Sequence, residues 1–137
     1  MRVNIDGGAR GNPGPAGAGV VITDPGDGQV LHESGLYLGK ATNNVAEYKA
    51  LLAGLEAAAR LGAVEVEVVS DSELLVRQMN GQYRVRNEGL RPLFQAACEL
   101  RRRFGQCSFR HIQREKNTQA DRLVNQAIDS RADVNGQ

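Results

Sequence analysis

The sequence of 137 residues contains no run of 18 or more consecutive apolar residues, which excludes an ordinary single-helix membrane span. Its start, Met1-Arg2-Val3-Asn4-Ile5-Asp6, lacks the apolar stretch of a secretory leader. A soluble, cytoplasmic chain without a membrane partner is expected. The two cysteines, Cys98 and Cys107, make no CxxC pair and no Cys/His ligand pattern, so they do not suggest a zinc site. In a reducing compartment both are expected to be packing residues. Internal repeats and low-complexity linkers are absent too. At this length the chain can bury one core but not two of ordinary size, so a single domain over residues 1–137, and a monomer, are expected.

What the sequence does have is an uneven charge distribution hidden under a net charge of +1. Residues 1–76 hold 5 Lys/Arg against 10 Asp/Glu, residues 77–116 hold 10 against 3, and residues 117–137 hold 2 against 3. An acidic first half followed by an Arg-rich segment fits a polyanion held in one region and processed in another. A solvated basic helix face explains the same segment equally well.

The hydropathy pattern reads as alternating strands and helices. Val3 and Ile5 predict a first strand that ends in the turn-rich stretch Gly7 to Pro15. Ala18 to Thr23 predicts a second strand, and Gln29 to Leu38 its hairpin partner across Asp24-Pro25-Gly26-Asp27-Gly28. Between Val45 and Leu61, Tyr48, Leu51, Leu52, Leu55, Ala58 and Ala59 recur at helical spacing before Gly62. Ala63 to Val69 alternates as a strand, and Ser70-Asp71-Ser72-Glu73 opens a helix carrying Leu74, Leu75, Val76 and Met79. A helix near Arg91 to Phe104, a fifth strand from Cys107 to Ile112 and a last helix from Asn117 to about Arg131 complete the order βββαβααβα. That order predicts an α/β fold: a five-stranded mixed sheet flanked by helices.

Four acids, Asp6, Glu47, Asp71 and Asp121, fall where a strand ends or a helix begins. Open α/β sheets bind ligands near such chain reversals. Carboxylates brought close together repel unless protonated or bridged by cations, and hard oxygen ligands suit Mg²⁺ or Mn²⁺. Two such ions roughly 4 Å apart would clamp the attacking and leaving oxygens of an in-line phosphodiester displacement. Each acid also has a structural explanation. Asp6 could open a turn before Gly7-Gly8, Asn44-x-x-Glu47 and Ser70-x-x-Glu73 have capping-box spacing, and Asp71 and Asp121 could serve helix dipoles.

Read in order, Ile5-Asp6-Gly7-Gly8-Ala9-Arg10-Gly11-Asn12-Pro13-Gly14, Thr42-Asn43-Asn44-Val45-Ala46-Glu47, Val69-Ser70-Asp71-Ser72 and Asn117-Thr118-Gln119-Ala120-Asp121 resemble type 1 ribonuclease H. The resemblance spans essentially the whole chain and rests on four motifs in register. It implies the family's five-stranded mixed sheet and hydrolysis of the RNA strand of an RNA–DNA hybrid. The implied route is two-metal-ion in-line attack of water, leaving 5′-phosphate and 3′-hydroxyl ends. It further implies that Asp6 bridges both metals, Glu47 and Asp71 serve mainly the leaving-group metal, and Asp121 completes the metal that activates water. Gly11, Asn12, Asn43, Asn44 and Ser72 match positions that track the minor groove and the RNA 2′-hydroxyls, the group that distinguishes RNA from DNA. Thr42 is similar to a residue that holds a DNA phosphate. A plain capping role for Thr42 to Asn44 stays open beside this.

The sequence departs from the family pattern in two places. Many members carry a catalytic histidine in the loop before the last carboxylate, but neither His32 nor His111 lies between Gln113 and Gln119. His111 falls on the predicted fifth strand and is expected to be structural. Arg114 occupies the region instead; its fixed charge can contact a scissile phosphate but cannot shuttle protons, so its expected role is electrostatic. Glu115 beside it could instead neutralise it in a surface pair. The basic protrusion of well-studied members is also missing, leaving Arg84, Arg86 and Arg91 in a short connection from Met79 to Arg91. Hybrid affinity is therefore expected to be modest and steeply salt-dependent. The Arg101-Arg102-Arg103 run is expected to be a solvated helix end, with a contribution to holding the hybrid as the alternative. Two further classes stay open at this point: another metal-dependent nuclease on this fold, acting on DNA junctions or double-stranded RNA, and a silent nucleic-acid-binding module.

Overall fold

The structure, a computed structural model, describes residues 1–135. Strands β1 (Arg2–Ala9), β2 (Gly14–Thr23) and β3 (Val30–Ala41) form an antiparallel meander. Helix α1 (Asn43–Arg60) crosses over to β4 (Glu65–Ser70), which lies parallel to β1. Helices α2 (Glu73–Met79) and α3 (Arg91–Arg101) lead to β5 (Gln106–His111), parallel to β4, and α4 (Thr118–Ser130) follows. Strand β6 (Val134–Asn135) closes the far edge against β3, so the sheet order is β5-β4-β1-β2-β3-β6. No helix among the described residues is long and apolar enough to cross a membrane.

Side chains alternate across a strand, and β1 shows what that does for the site. Val3 and Ile5 are buried in the main core under α1, so Arg2, Asn4 and Asp6 belong to the opposite face, where Asn4 meets the start of α4. Helix α1 supplies Tyr48, Ala50, Leu51, Leu55 and Ala58 to the core, while α4 lies across β2 and β3 on the other side. Tyr48 joins three helices. Its hydroxyl donates to Gln78 Oε1 of α2 at 2.6 Å, and its ring meets Phe94 of α3 edge-on at 6.5 Å. Cys98 and Cys107 are unpaired and pack half-buried against this core.

Several expected boundaries shift, each for a local reason. The stretch Gly7 to Pro15 is not all turn: β1 runs on through Gly7 and Gly8, and β2 begins at Gly14. Only Arg10 to Pro13 leaves the ladder, tied by Arg10 N–H to Pro15 O at 2.8 Å. The sheet has six strands where five were expected, because two residues after α4 pair with Ser34 and Gly35. Neither expected capping box forms. The N-caps are Thr42, whose Oγ1 accepts from Val45 N–H, and Ser72, whose Oγ accepts from Leu75 N–H. Arg101 is not part of a solvated helix end either. It is half-buried, donates to Met79 O at 2.7 Å and Cys107 O at 3.2 Å, and lies 4.8 Å over the Phe109 ring.

Candidate active site

The four carboxylates come from four elements that meet at the C-terminal ends of the parallel strands. Asp6 sits within β1, Asp71 directly follows β4, Glu47 lies in the second turn of α1, and Asp121 lies in the first turn of α4. Together with Arg114 and Asn43 they line one cleft of about 540 Å³. Two close backbone approaches make this convergence. A Cβ on Gly7 would lie 2.4 Å from the Ala46 carbonyl, where β1 runs against the start of α1. A Cβ on Gly19, the β2 partner of Asp6, would lie 2.2 Å from Ala120 O, where α4 rides on the sheet. Asn117, 2% exposed, fastens the same corner by donating to Ile5 O at 2.8 Å and accepting from Asn4 at 3.1 Å.

The carboxylates strain one another electrostatically. Burial raises Asp6 to about 8, helped by the charge of Asp71 and by a hydrogen bond shared with the Asp121 carboxyl, against one donated by Gly7 N–H. Burial likewise raises Glu47 to about 7, while a hydrogen bond from Ser72 opposes the shift and Asp71 adds to it. Asp71 is raised by burial and by Asp121, whereas Arg114 and His111 hold it down. Groups that keep protons near neutral pH because burial and neighbouring carboxylates disfavour their charge are suited to exchange those protons for a cation. As they stand, no three His, Cys, Asp or Glu side chains among the described residues are drawn together tightly enough to hold a metal ion. The donor set still fits a hard divalent cation: four carboxylates on one wet cleft, with no thiolate or imidazole among the lining residues.

The remaining sequence candidates surround this cleft in different ways. Asn12 Oδ1 accepts from Asn43 N–H at 3.0 Å, and Asn43 Oδ1 accepts from Ala9 N–H at 2.8 Å. These bonds fasten the 10–13 loop to the start of α1, with Gly11 in the left-handed region at φ 85° and the Asn12–Pro13 bond cis. Asn44 is exposed on the first turn of α1. Thr42 is the cap of α1, and Ser72 both caps α2 and touches Glu47. His111 needs correction. Expected to be structural on the fifth strand, it is exposed at the end of β5, paired with Ser70, and its charge acts on Asp71, so it borders the site as well.

Two groups escaped the sequence reading. Arg10, just past β1, binds Asp129 at 2.5 Å and Asn125 at 3.2 Å, while Asn125 donates to Asp121 O at 3.1 Å. Asn117 stood within a recognised motif, but nothing in the sequence signalled a buried amide bridging to β1.

A mixed sheet with this strand order, carrying carboxylates within β1, just past β4 and in the opening turns of two flanking helices, defines a ribonuclease H-like fold. The family model described as reverse transcriptase-like matches residues 4–127. Ribonuclease HI of Halobacterium salinarum is 44% identical over 125 residues, covering 91% of this chain and 62% of that protein. The bifunctional protein of Mycobacterium tuberculosis is 46% identical over 130 residues, covering 95% of this chain but 36% of that protein. The chain thus spans just over a third of the mycobacterial relative. Among solved structures, RNase H1 of Halobacterium salinarum superposes with a TM-score of 0.91 at 43% identity, covering 94% of this chain and 97% of the other. LC11-RNase H1 in complex with an RNA/DNA hybrid gives 0.90 at 50% identity, covering 95% and 97%. The chain belongs to the type 1 ribonuclease H family of hydrolases.

Proposed function

We propose that residues 1–137 act as a single, monomeric ribonuclease H domain that hydrolyses the RNA strand of RNA–DNA hybrids. The observation that carries this reading is the meeting of Asp6, Glu47, Asp71, Asp121 and Arg114 in one cleft. The hybrid bound by LC11-RNase H1 supports the substrate class.

In this reading Asp6, Glu47, Asp71 and Asp121 would hold the two ions, Mg²⁺ or Mn²⁺. When bound, such ions lower the pKa of water and stabilise charge on a departing oxygen. The chain's own part is to place and neutralise. Ser72 hydrogen-bonds the Glu47 carboxyl with the same hydroxyl whose Oγ caps α2 by accepting from Leu75 N–H. Asn117 and the glycine contacts at 7 and 19 set the spacing of the acids. Arg114 places a permanent positive charge on the wall of the cleft, where it attracts the scissile phosphate. Gly11, Asn12, Thr42, Asn43, Asn44 and Ser72 form the rim that reads the hybrid. The amide NH₂ groups of Asn12 and Asn43 make no protein hydrogen bond among the described residues, so they can donate to sugar and base edges. Attack of water oxygen on phosphorus with breaking of the P–O3′ bond would leave the phosphate on the 5′ end of one RNA fragment, while the departing 3′ oxygen takes up a proton and becomes the 3′-hydroxyl of the other.

The test is a substrate panel with Mg²⁺ or Mn²⁺: RNA–DNA hybrid, duplex RNA, duplex DNA and single-stranded RNA, each end-labelled. Only the RNA strand of the hybrid should be cut. Equal cutting of duplex DNA would remove the 2′-hydroxyl requirement and assign the chain to a different nuclease class, and binding without cutting would make it a silent module.

A further inference from the structure

The sheet face that carries Asp6 and Asp71 continues away from the carboxylates into a second cleft, of about 670 Å³. By strand alternation Asn4 and Arg2 share a row with Asp6, Val69 and Glu67 share a row with Asp71, and Arg110 and Ser108 of β5, with Ile112 just past its end, form the next row. Helix α4 rests on β2 and β3 and only its N-terminal part, Thr118 to Arg122, borders this cleft, so Arg2 and Arg110 at the outer ends of the rows stay exposed. Val21, Val69 and Ala120 make a closed apolar floor, each 2% exposed or less.

Four cations line this cleft, Arg2, Arg110, Lys116 and Arg122, all exposed, against the single lining acid Asp24. Glu67 binds Arg2 at 3.1 Å and Arg110 at 3.4 Å, which holds both guanidiniums over the sheet but can neutralise only one of them. Lys116 and Arg122 have no ion-pair partner among the described residues. The chain as a whole is nearly neutral, so this is a local concentration of positive charge. The two clefts meet at the turn between β5 and α4: Arg114 lines the carboxylate side and Lys116 the other. Four separated cations along an exposed sheet face suit a chain of phosphates better than one compact anion.

We propose that this face is a second nucleic-acid site, holding the phosphodiester backbone of a single-stranded extension of the RNA strand that passes through the carboxylate cleft. This rests on the hybrid-nuclease reading above. The site reads charge and not sequence, so its contribution is salt-sensitive.

The test compares binding of a blunt hybrid with the same hybrid carrying about eight unpaired ribonucleotides at the 5′ or the 3′ end of the RNA strand. Fluorescence anisotropy is measured in chelator so that nothing is cut. One of the two extensions should tighten binding about five- to tenfold. It should also steepen the dependence of log affinity on log salt by about 2, the value for three single-strand phosphate contacts. The combined variant Arg110→Gln, Lys116→Gln, Arg122→Gln should lose both effects while cutting blunt hybrid at the unsubstituted rate in Mg²⁺. Arg122→Glu alone, on the exposed side of α4, should reduce the gain in the same direction. The proposal is overturned if neither extension tightens binding, or if the gain survives in these variants. Failure of the unsubstituted protein to cut blunt hybrid would instead sink the nuclease reading, a separate readout from the metal-free binding.

Discussion

Asp6→Asn should abolish cleavage and at the same time make the metal-free protein more stable at pH 8. Loss of activity follows from the place of Asp6 between Asp71 and Asp121. A carboxylate ligand that anchors ions worth several kcal/mol of charge stabilisation costs on the order of 10³-fold in rate when its charge is removed. The gain in stability follows from linkage. Asp6 titrates near 8 in the folded chain against an ordinary 3.8, so between these values the folded state holds a proton that the unfolded state has released. Stability from this group is full below about pH 4 and is lost as pH rises toward 8. Asparagine copies the protonated acid in shape and cannot ionise. The variant should therefore melt higher at pH 8 in chelator. Rotation of the carboxylates and solvent screening relieve part of the repulsion, leaving roughly 1–2 kcal/mol, or about 5 °C for a domain of this size. Melting curves at pH 4, 6 and 8 check this: the gap should open with pH, and Mg²⁺ should raise the unsubstituted protein more than the variant. Equal melting at pH 8 would mean that burial and the neighbouring carboxylates do not disfavour the Asp6 charge as described.

Gly19→Ala should be among the most damaging single-methyl changes in the described residues. The added Cβ would meet Ala120 O at 2.2 Å and Ala120 C at 3.1 Å, both backbone atoms that no rotamer change can move. Overpacking of this kind costs about 1–3 kcal/mol or more, a fall of roughly 10 °C in melting temperature. Relief requires the first turn of α4 to lift from β2, which carries Asp121 away from Asp6 on the neighbouring strand. Misplacement of about 1 Å costs on the order of 10²-fold in rate. Gly8→Ala is the control for stability, because its Cβ would find only Asn43 Oδ1, at 3.9 Å. Thermal unfolding and hybrid cleavage of the two variants decide the point. If Gly19→Ala melts and cuts like the unsubstituted chain, the account of how α4 sets the carboxylate spacing is wrong.

The same glycines explain what could and could not be read from the sequence. The helices were legible because apolar residues at helical spacing, such as Tyr48, Leu51, Leu52 and Leu55, need no knowledge of distant partners. The four acids were legible as motifs in register. Gly7, Gly8 and Gly14 were misread as turn because composition marks a glycine as a breaker, whereas at Gly7 the strand continues so that α1 can approach it. Strand β6 is two residues long and is defined only by its partner β3. Arg101 looked like one of three solvated arginines, yet its carbonyl partners at Met79 and Cys107 come from other elements. His111 was read as structural because it falls on a strand, but at the end of β5 its charge reaches Asp71. The cationic cleft assembles alternate residues of strands far apart in sequence, together with the start of α4, and has no linear signature.

The measurement that bears most directly on the central claim is cleavage of an end-labelled RNA–DNA hybrid by the unsubstituted chain and by Asp71→Asn, each with Mg²⁺, with Mn²⁺ and in chelator. The account predicts cutting of the RNA strand by the unsubstituted chain in either metal, none in chelator, and a loss on the order of 10³-fold in the variant. Cleavage that persists undiminished in Asp71→Asn, or that proceeds in chelator, would contradict it.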